Sequence, residues 1–372
     1  MTQVTAAVRR PRLRVFGSGP VATAFALFAL RQGFGPEDIA LEAPPADLPA
    51  TLAARVLAMS LGSWQLLARI ARRPPAAPIE TVDVSIPGHL GRTRITAREM
   101  GVPAVGWVVR YGDLLGALRE AACAAGLVPP LRGEAPHAAP GIAPADEVEV
   151  HAEGDAGDRA DELRFDQAAL LAEVEVASAQ AAHAFECFTA DGPLALLPLP
   201  EPRRYALVWC ARPQDSRRRA ELAPVALGEE LQAAFGWSLG RLAFVTPPAV
   251  VPMVRRARRE LVCGRAVWIG NAAQALHPVA GQGLNLGLRD AVELARCLGN
   301  AADRGRPVPL ALHDYARARR LDRSGTIALT DTLARAFRFA PLRGVQSLAL
   351  AALDVAPAAR ARLARQFMFG VR

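Results

Sequence analysis

Lysine is missing from this 372-residue chain, and every one of its 44 basic residues is arginine. Without an amine side chain there is no Schiff-base catalyst, no anchor for pyridoxal phosphate and no Walker-type phosphate lysine. Cysteine is scarce. The five present (Cys123, Cys187, Cys210, Cys263, Cys297) are odd in number, far apart and form no CxxC pair, which predicts buried free thiols rather than a disulfide framework or a zinc site. The six histidines show no HxxxH spacing, and no metal site is expected. No window approaches ~20 uninterrupted apolar residues, so no transmembrane helix is expected. Met1 to Arg12 lacks the apolar core of a signal peptide, and the expected location is the cytoplasm. Basic residues are not interleaved with aromatics, which speaks against nucleic acid as a partner.

What is present is an Ala-rich, 51% hydrophobic chain, long enough for two domains or for one large domain carrying a second sheet. Its charge is unevenly spread. Ala301 to Arg372 holds 13 Arg against 5 Asp and no Glu, an excess equal to the net +8 of the whole chain, so the body is near neutral and the tail is basic. Leu342, Val345, Leu348, Ala352 and Leu353 recur there at helical spacing, as do Ala359, Leu363 and Phe367, while Arg360, Arg362 and Arg365 fall elsewhere on the wheel. Two readings stay open: a helix resting on anionic lipid, or one packed on the body with a solvated basic face.

Two strand–turn–helix units carry the candidate chemistry. Arg12 to Phe16 reads as a strand, followed by GSGPVA and a helical run from Val21 to Leu30. Gly17, Gly19 and Ala22 match the dinucleotide turn G-x-G-x-x-G/A, and the strand Asp38 to Leu41 ends in Glu42, 23 positions beyond Gly19, where an acid accepts a ribose hydroxyl. The second unit is AVWIGNAAQALHPVAGQGLNLGLRDAVELARCL, from Ala266 to Leu298. Its loop, with Gly270, Gly281, Gly283 and Gly287, admits close backbone approach, and the helix from Leu284 presents N–H groups and a positive dipole end to an electron-rich or anionic ligand. Asn271 offers a neutral hydrogen-bonding group. His277 is a weak candidate for a general base, since Pro278 and apolar neighbours suit a packed residue better. Arg289 and Asp290 are expected to fix the loop by pairing.

Elsewhere, Leu52 to Ile70 reads as a helix, Thr81 to Ile95 as a hairpin, Val105 to Arg110 as a strand and Tyr111 to Ala125 as a helix. Gly126 to Asp146, rich in Pro and Gly, shows no regular element. Strands at Glu147 to His151, Gln167 to Val176, Phe185 to Thr189, Leu194 to Leu199 and Tyr205 to Cys210 suggest an antiparallel sheet, followed by a helix at Leu227 to Phe235. Arg255 to Arg259 reads as a solvated turn, and the chain is largely helical from Pro309.

With these residues in view, the chain resembles the aromatic-ring hydroxylases that use FAD and NAD(P)H, and within them the ubiquinone-biosynthesis branch that includes enzymes acting on 2-polyprenyl-6-methoxyphenol. GSGPVA with Glu42 is similar to the family's FAD-adenosine site. RVLAMSLGSWQLL resembles its following helix, with Arg55 at a flavin-contacting arginine. GNAAQALHPVAGQGLNLGLRD resembles the second flavin motif and the isoalloxazine loop, with the Asn271 and Gln274 typical of the branch. FDQAALLAEVEV and FTADGPLALLPL also look like the branch. Two segments depart from the pattern: Glu153 and Gly154 stand where the family has Asp-Gly, and Gly126 to Asp146 is shorter and richer in Pro.

The resemblance implies an α/β fold: an FAD-binding Rossmann-like domain with an inserted, mainly antiparallel substrate sheet and a helical C-terminus. Residues 1–158 and 262–306 would form the FAD domain, interrupted by sheet segments near 81–95; residues 159–261 would form the substrate sheet and 307–372 the basic helical region. Gly17, Gly19, Ala22, Glu42, Arg55, Gly270, Asn271, Pro278, Gly281, Gly283, Leu284 and Asn285 would hold FAD. The activity implied is monooxygenation of a polyprenylphenol: NAD(P)H reduces the flavin, O2 forms a C4a-hydroperoxide, and its distal hydroxyl passes to the ring. Other ubiquinone-biosynthesis proteins would be partners. Two alternatives stay open, an FAD-poor non-catalytic subunit of the biosynthetic assembly and a flavin hydroxylase of a soluble phenolic acid.

Overall fold

A computed structural model describes residues 10–42, 48–127, 146–157, 159–276, 281–336 and 343–370. The alternation of β1 (Arg12–Phe16) buries Leu13 and Val15. Pro20 opens α1 (Pro20–Arg31), where a missing N–H costs nothing, and Gly33 leaves it with a positive φ of 84°. Apolar on nearly every side, α1 is buried between layers and returns the chain to β2 (Ile39–Leu41), parallel to β1.

Next come α2 (Ala50–Ala53), β3 (Val56–Ser60), α3 (Leu61–Leu67), β4 (Ala76–Ile79), β5 (Thr81–Ser85), β6 (Arg92–Thr96), α4 (Ala97–Met100), β7 (Gly106–Arg110) and α5 (Tyr111–Ala124). The helix expected over Leu52 to Ile70 is therefore corrected. Its centre, Val56 to Ser60, is a strand, because β7 supplies antiparallel partners from Arg110 back to Gly106. The hairpin near 81–95 is present as β5 against β6, with Val82 opposite Ile95.

After β8 (Glu147–His151) the chain builds β9 (Ala160–Val176), β10 (His183–Phe188), β11 (Pro193–Pro198), β12 (Arg204–Ala211), α6 (Pro213–Ala220), α7 (Pro224–Phe235), β13 (Leu242–Phe244) and β14 (Ala249–Arg258). It returns through β15 (Val262–Cys263), β16 (Ala266–Trp268) and β17 (Gln274–Ala275), and continues as α8 (Gln282–Asp303), α9 (Val308–Ala336), α10 (Arg343–Asp354) and α11 (Pro357–Phe369). The charge run Arg255 to Arg259 is not a solvated turn. Most of it belongs to β14, where Arg256 meets Asp155 and Glu162 at 2.8 Å and Arg259 meets Asp161 at 2.9 Å.

Three sheets result. The first, ordered β15-β16-β8-β1-β2, is parallel apart from its β15 edge. Its register brings Phe16, His151 and Trp268 side by side, and their rings stack at 4.8 and 4.9 Å. The second runs β17-β14-β9-β12-β11-β10-β5-β6, with β13 also on β9. The third, β3-β7-β4, lies between them: Val108, Ala77 and Ile79 pack on Ala184, Leu199 and Ala206 of the large-sheet region. Arg110 at the end of β7 pins the two together, donating to Glu173 on β9 and, at 2.9 Å, to Glu201.

Of the two readings of the basic tail, the structure bears out packing on the body, although Arg360 is buried rather than solvated. In α11, Ala364 and Met368 bury against Leu61 of α3, and Arg360 is buried, donating to Glu99 at 2.9 Å. In α10, Ser347 Oγ accepts from the Gly91 N–H at 2.8 Å, while Val345 and Leu348, and Val355 just beyond the helix, are 64%, 71% and 82% exposed. Leu342 lies outside the described residues. Among those described, no helix is long and apolar enough to cross a membrane. Of the five cysteines, Cys187, Cys210 and Cys297 are buried as expected, whereas Cys123 and Cys263 are exposed.

Candidate functional site

The glycine turn lies at the carboxyl end of β1, between β2 and β8, where an open α/β sheet leaves a crevice for ligands. Gly17 has φ of 99°, and a Cβ there would stand 2.6 Å from the Ala152 carbonyl oxygen, so both conformation and space demand glycine. Its N–H donates to Oε2 of the exposed Glu42, which places the β2 carboxylate on the turn. Gly19 is the N-cap of α1 and has no side chain to cap the helix, while Ala22 is fully buried against the core. Tyr111, which sequence reasoning read only as the start of a helix, stands beside this turn: a Cβ on Gly19 would lie 3.4 Å from its hydroxyl. No motif marks that tyrosine. Arg55 is exposed, and its carbonyl accepts the Tyr111 N–H at 2.8 Å.

The second loop begins at Gly270, whose φ of 60° is left-handed, and ends at Gly281, φ 58°, the N-cap of α8. Helix α8 crosses α1 closely, since a Cβ on Gly287 would be 2.8 Å from Val21 and 3.1 Å from the Gly270 Cα. Asn285 is buried and fully engaged: Oδ1 accepts the Ser60 N–H at 2.8 Å, and Nδ2 donates to the carbonyls of Ala58 at 3.1 Å and Gly281 at 2.8 Å. Its side chain thus ties the loop to β3. Asn271 is exposed and Leu284 half-buried, and among the described residues no atom beyond the adjoining backbone comes within 4 Å of a would-be Cβ on Gly283. His277 and Pro278 lie outside the described residues.

Beneath the loop is a buried polar network. Asp290 accepts from the Gly270 N–H at 3.2 Å, Gln274 Nε2 at 2.7 Å and Arg319 Nε at 2.7 Å. Gln274 in turn accepts from Arg323 Nε at 2.6 Å. Burial opposes the charge on Arg319, but Asp290 and Asp322 outweigh it and hold the guanidinium above its ordinary value. Arg289 pairs with Asp322 at 2.8 Å, and burial lowers its own affinity for the proton. Both residues expected to fix the loop by pairing do pair, Asp290 with the loop itself and Arg289 with α9.

Known proteins resemble this chain in sequence over part of its length and in fold over most of it. Residues 147–327 match the family described as FAD binding domain. The ubiquinone hydroxylase UbiL of Rhodospirillum rubrum is 35% identical over 198 residues, covering 52% of this chain and 46% of that protein. The 3-demethoxyubiquinol 3-hydroxylase of Escherichia coli is 34% identical over 144 residues, covering 38% of this chain and 36% of that protein. Over these segments the chain is similar to an FAD binding domain and to hydroxylases named for ubiquinone and demethoxyubiquinol. It spans about half the length of the first of these relatives. Among solved structures, p-nitrophenol 4-monooxygenase PnpA of Pseudomonas putida shares the fold, with TM-score 0.76 at 14% identity over 98% of this chain and 99% of that one. PqsL, a probable FAD-dependent monooxygenase of Pseudomonas aeruginosa, superposes with TM-score 0.73 at 17% identity over 92% of this chain and 100% of that one.

The residues present fit FAD. Two helix N-termini, those of α1 and α8, lack side-chain caps, which leaves them suited to a phosphate and to an electron-rich ring. The Glu42 carboxylate is an acceptor suited to a ribose hydroxyl, and the open space at Gly283 is suited to a planar group laid on the first turn of α8. The network below the loop should be essential to it. In Arg319→Met, Asp290 and Asp322 lose their shared guanidinium, and breaking such a buried pair costs about 3–5 kcal/mol. Urea denaturation measures the loss directly; a variant within about 1 kcal/mol of the parent would show the network to be dispensable.

Proposed function

We propose that this protein is a monooxygenase that hydroxylates the aromatic ring of a polyprenylphenol intermediate in ubiquinone biosynthesis, with FAD bound and with NAD(P)H and O2 as co-substrates. The observation that carries the reading is the pair of glycine-bounded, uncapped helix N-termini, brought together where α8 crosses α1 at Gly287 and Val21. The similarity to UbiL and to the demethoxyubiquinol hydroxylase supports the substrate class. When bound, FAD supplies the redox and oxygen chemistry.

The chain supplies orientation and electrostatics. Gly17, Gly19 and Ala22 let the backbone at the start of α1 approach the pyrophosphate, and Glu42 accepts from the adenosine ribose. Gly270, Gly281, Gly283 and Leu284 shape the seat of the isoalloxazine, and the α8 dipole favours negative charge on it. Asn285 acts by holding that seat against β3, since its amide is already engaged with Ala58, Ser60 and Gly281. Asn271, exposed at the loop, offers a hydrogen bond to the ribityl chain, and Arg55 and Pro278 complete the set.

Peripheral membrane contact belongs to the same reading, because a polyprenyl tail partitions into lipid. The exposed stripe Val345, Leu348 and Val355, near the exposed Arg362 and Arg365 in sequence, suits an anionic bilayer surface.

A deletion strain is expected to accumulate an under-hydroxylated polyprenylphenol, detected by mass spectrometry of lipid extracts; normal ubiquinone with no intermediate would count against the assignment. Purified protein that stays colourless after incubation with FAD would favour a non-catalytic subunit instead. Sedimentation with phosphatidylglycerol vesicles is expected for the wild type and not for the double variant Leu348→Glu, Val355→Glu. Equal sedimentation of the two would remove α10 from the membrane contact.

A further inference from the structure

The large sheet turns one face toward the flavin-seat side of the molecule, and along β10 that face carries Ala184, Glu186 and Phe188 by strict alternation. Ala184 packs with Ala77, Ile79 and Val108 of the small sheet, whose β3 holds Asn285 of the flavin loop through Ala58 and Ser60. Phe188 packs with Ile86 and Leu350 of α10. Cys210, on the same face of β12, packs with Ala334 of α9. Glu186 therefore stands between three points at which other elements cover the sheet.

Its neighbours across the ladder are Val84 on β5 and Ala195 on β11, with Val208 beyond. None carries a charge, and the residue directly opposite on β11 is a small alanine. Glu186 is half-buried, and among the described residues it has no hydrogen-bond or ion-pair partner. Burial alone pushes its carboxyl up to about 7. The Cys210 thiol, raised to about 12 mainly by its own burial, also feels the Glu186 charge, which places both side chains on one side of the sheet. A carboxyl without a partner on a covered sheet face costs free energy until something hydrogen-bonds to it.

We infer that Glu186 receives the ring hydroxyl of the phenolic substrate, the O–H donating to its carboxylate, and so orients the ring on the sheet face that turns toward the flavin seat. Glu186 is then a substrate-binding residue that selects phenols over rings without a hydroxyl. This rests on the hydroxylase reading above. It goes further in assigning the recognition of the hydroxyl to one side chain.

The test uses FAD-reconstituted full-length protein titrated with phenol and with its near-isostere toluene, followed by calorimetry and by perturbation of the flavin absorption. Wild type is expected to bind phenol about tenfold or more tightly than toluene, the size of one hydrogen bond to a charged group. Glu186→Leu should bind the two alike, with toluene affinity and FAD content unchanged, and Glu186→Gln, which still accepts a hydrogen bond, should recover part of the preference. Retained phenol preference in a FAD-replete Glu186→Leu protein would overturn the inference and leave the hydroxylase reading standing. Protein that takes up no FAD would overturn both.

Discussion

The structure depends on one buried carboxylate. Asp290 sits in the third turn of α8 and gathers the Gly270 N–H from the loop entry, the Gln274 amide from β17 and the Arg319 guanidinium from α9. A carboxyl group this deep is tolerable only with several hydrogen-bond partners, and supplying them fixes three elements at once. The loop can then end at Gly281 in a left-handed turn, α8 can start without a side-chain cap, and Asn285 can reach back to β3. Arg110, bonded to Glu173 and Glu201, joins the small sheet to the large one by the same means.

Much of this was legible in the sequence because it is local. A strand, a glycine turn and a helix within about twenty residues need no distant partner, so both glycine units and their helices were read correctly from spacing. The pairing role of Arg289 and Asp290 was legible for the same reason, being one turn into a helix that follows the loop. What was missed depends on distant partners. Val56 to Ser60 has apolar residues that serve a helix or a strand equally well, and only β7, some fifty positions later, decides between them. Arg255 to Arg259 looks solvated until Asp155, Asp161 and Glu162 are brought alongside.

The site residues divide along the same line. Gly17 and Gly281 announce themselves, since their positive φ values of 99° and 58° are conformations that favour glycine. Asn285 could be flagged but not understood, because its three partners lie on β3 and at Gly281. Tyr111 carries no motif. Glu186 was the least visible of all: in a strand of alternating residues a single carboxyl normally marks the solvent face, and only the three covering contacts show that this one points inward.

The central claim is that the first turn of α8 is the seat of the flavin ring, and Gly283 gives the most direct access to it. A Cβ there meets no atom of the described residues within 4 Å outside the adjoining backbone, and the change replaces a glycine inside a helix, so Gly283→Leu should fold as stably as the parent. It would, however, occupy the space assigned to the ring. The account predicts unchanged thermal stability of the apoprotein together with FAD affinity weakened by about tenfold to a hundredfold in a fluorescence-quenching titration. A folded Gly283→Leu protein that binds FAD as tightly as wild type would contradict it.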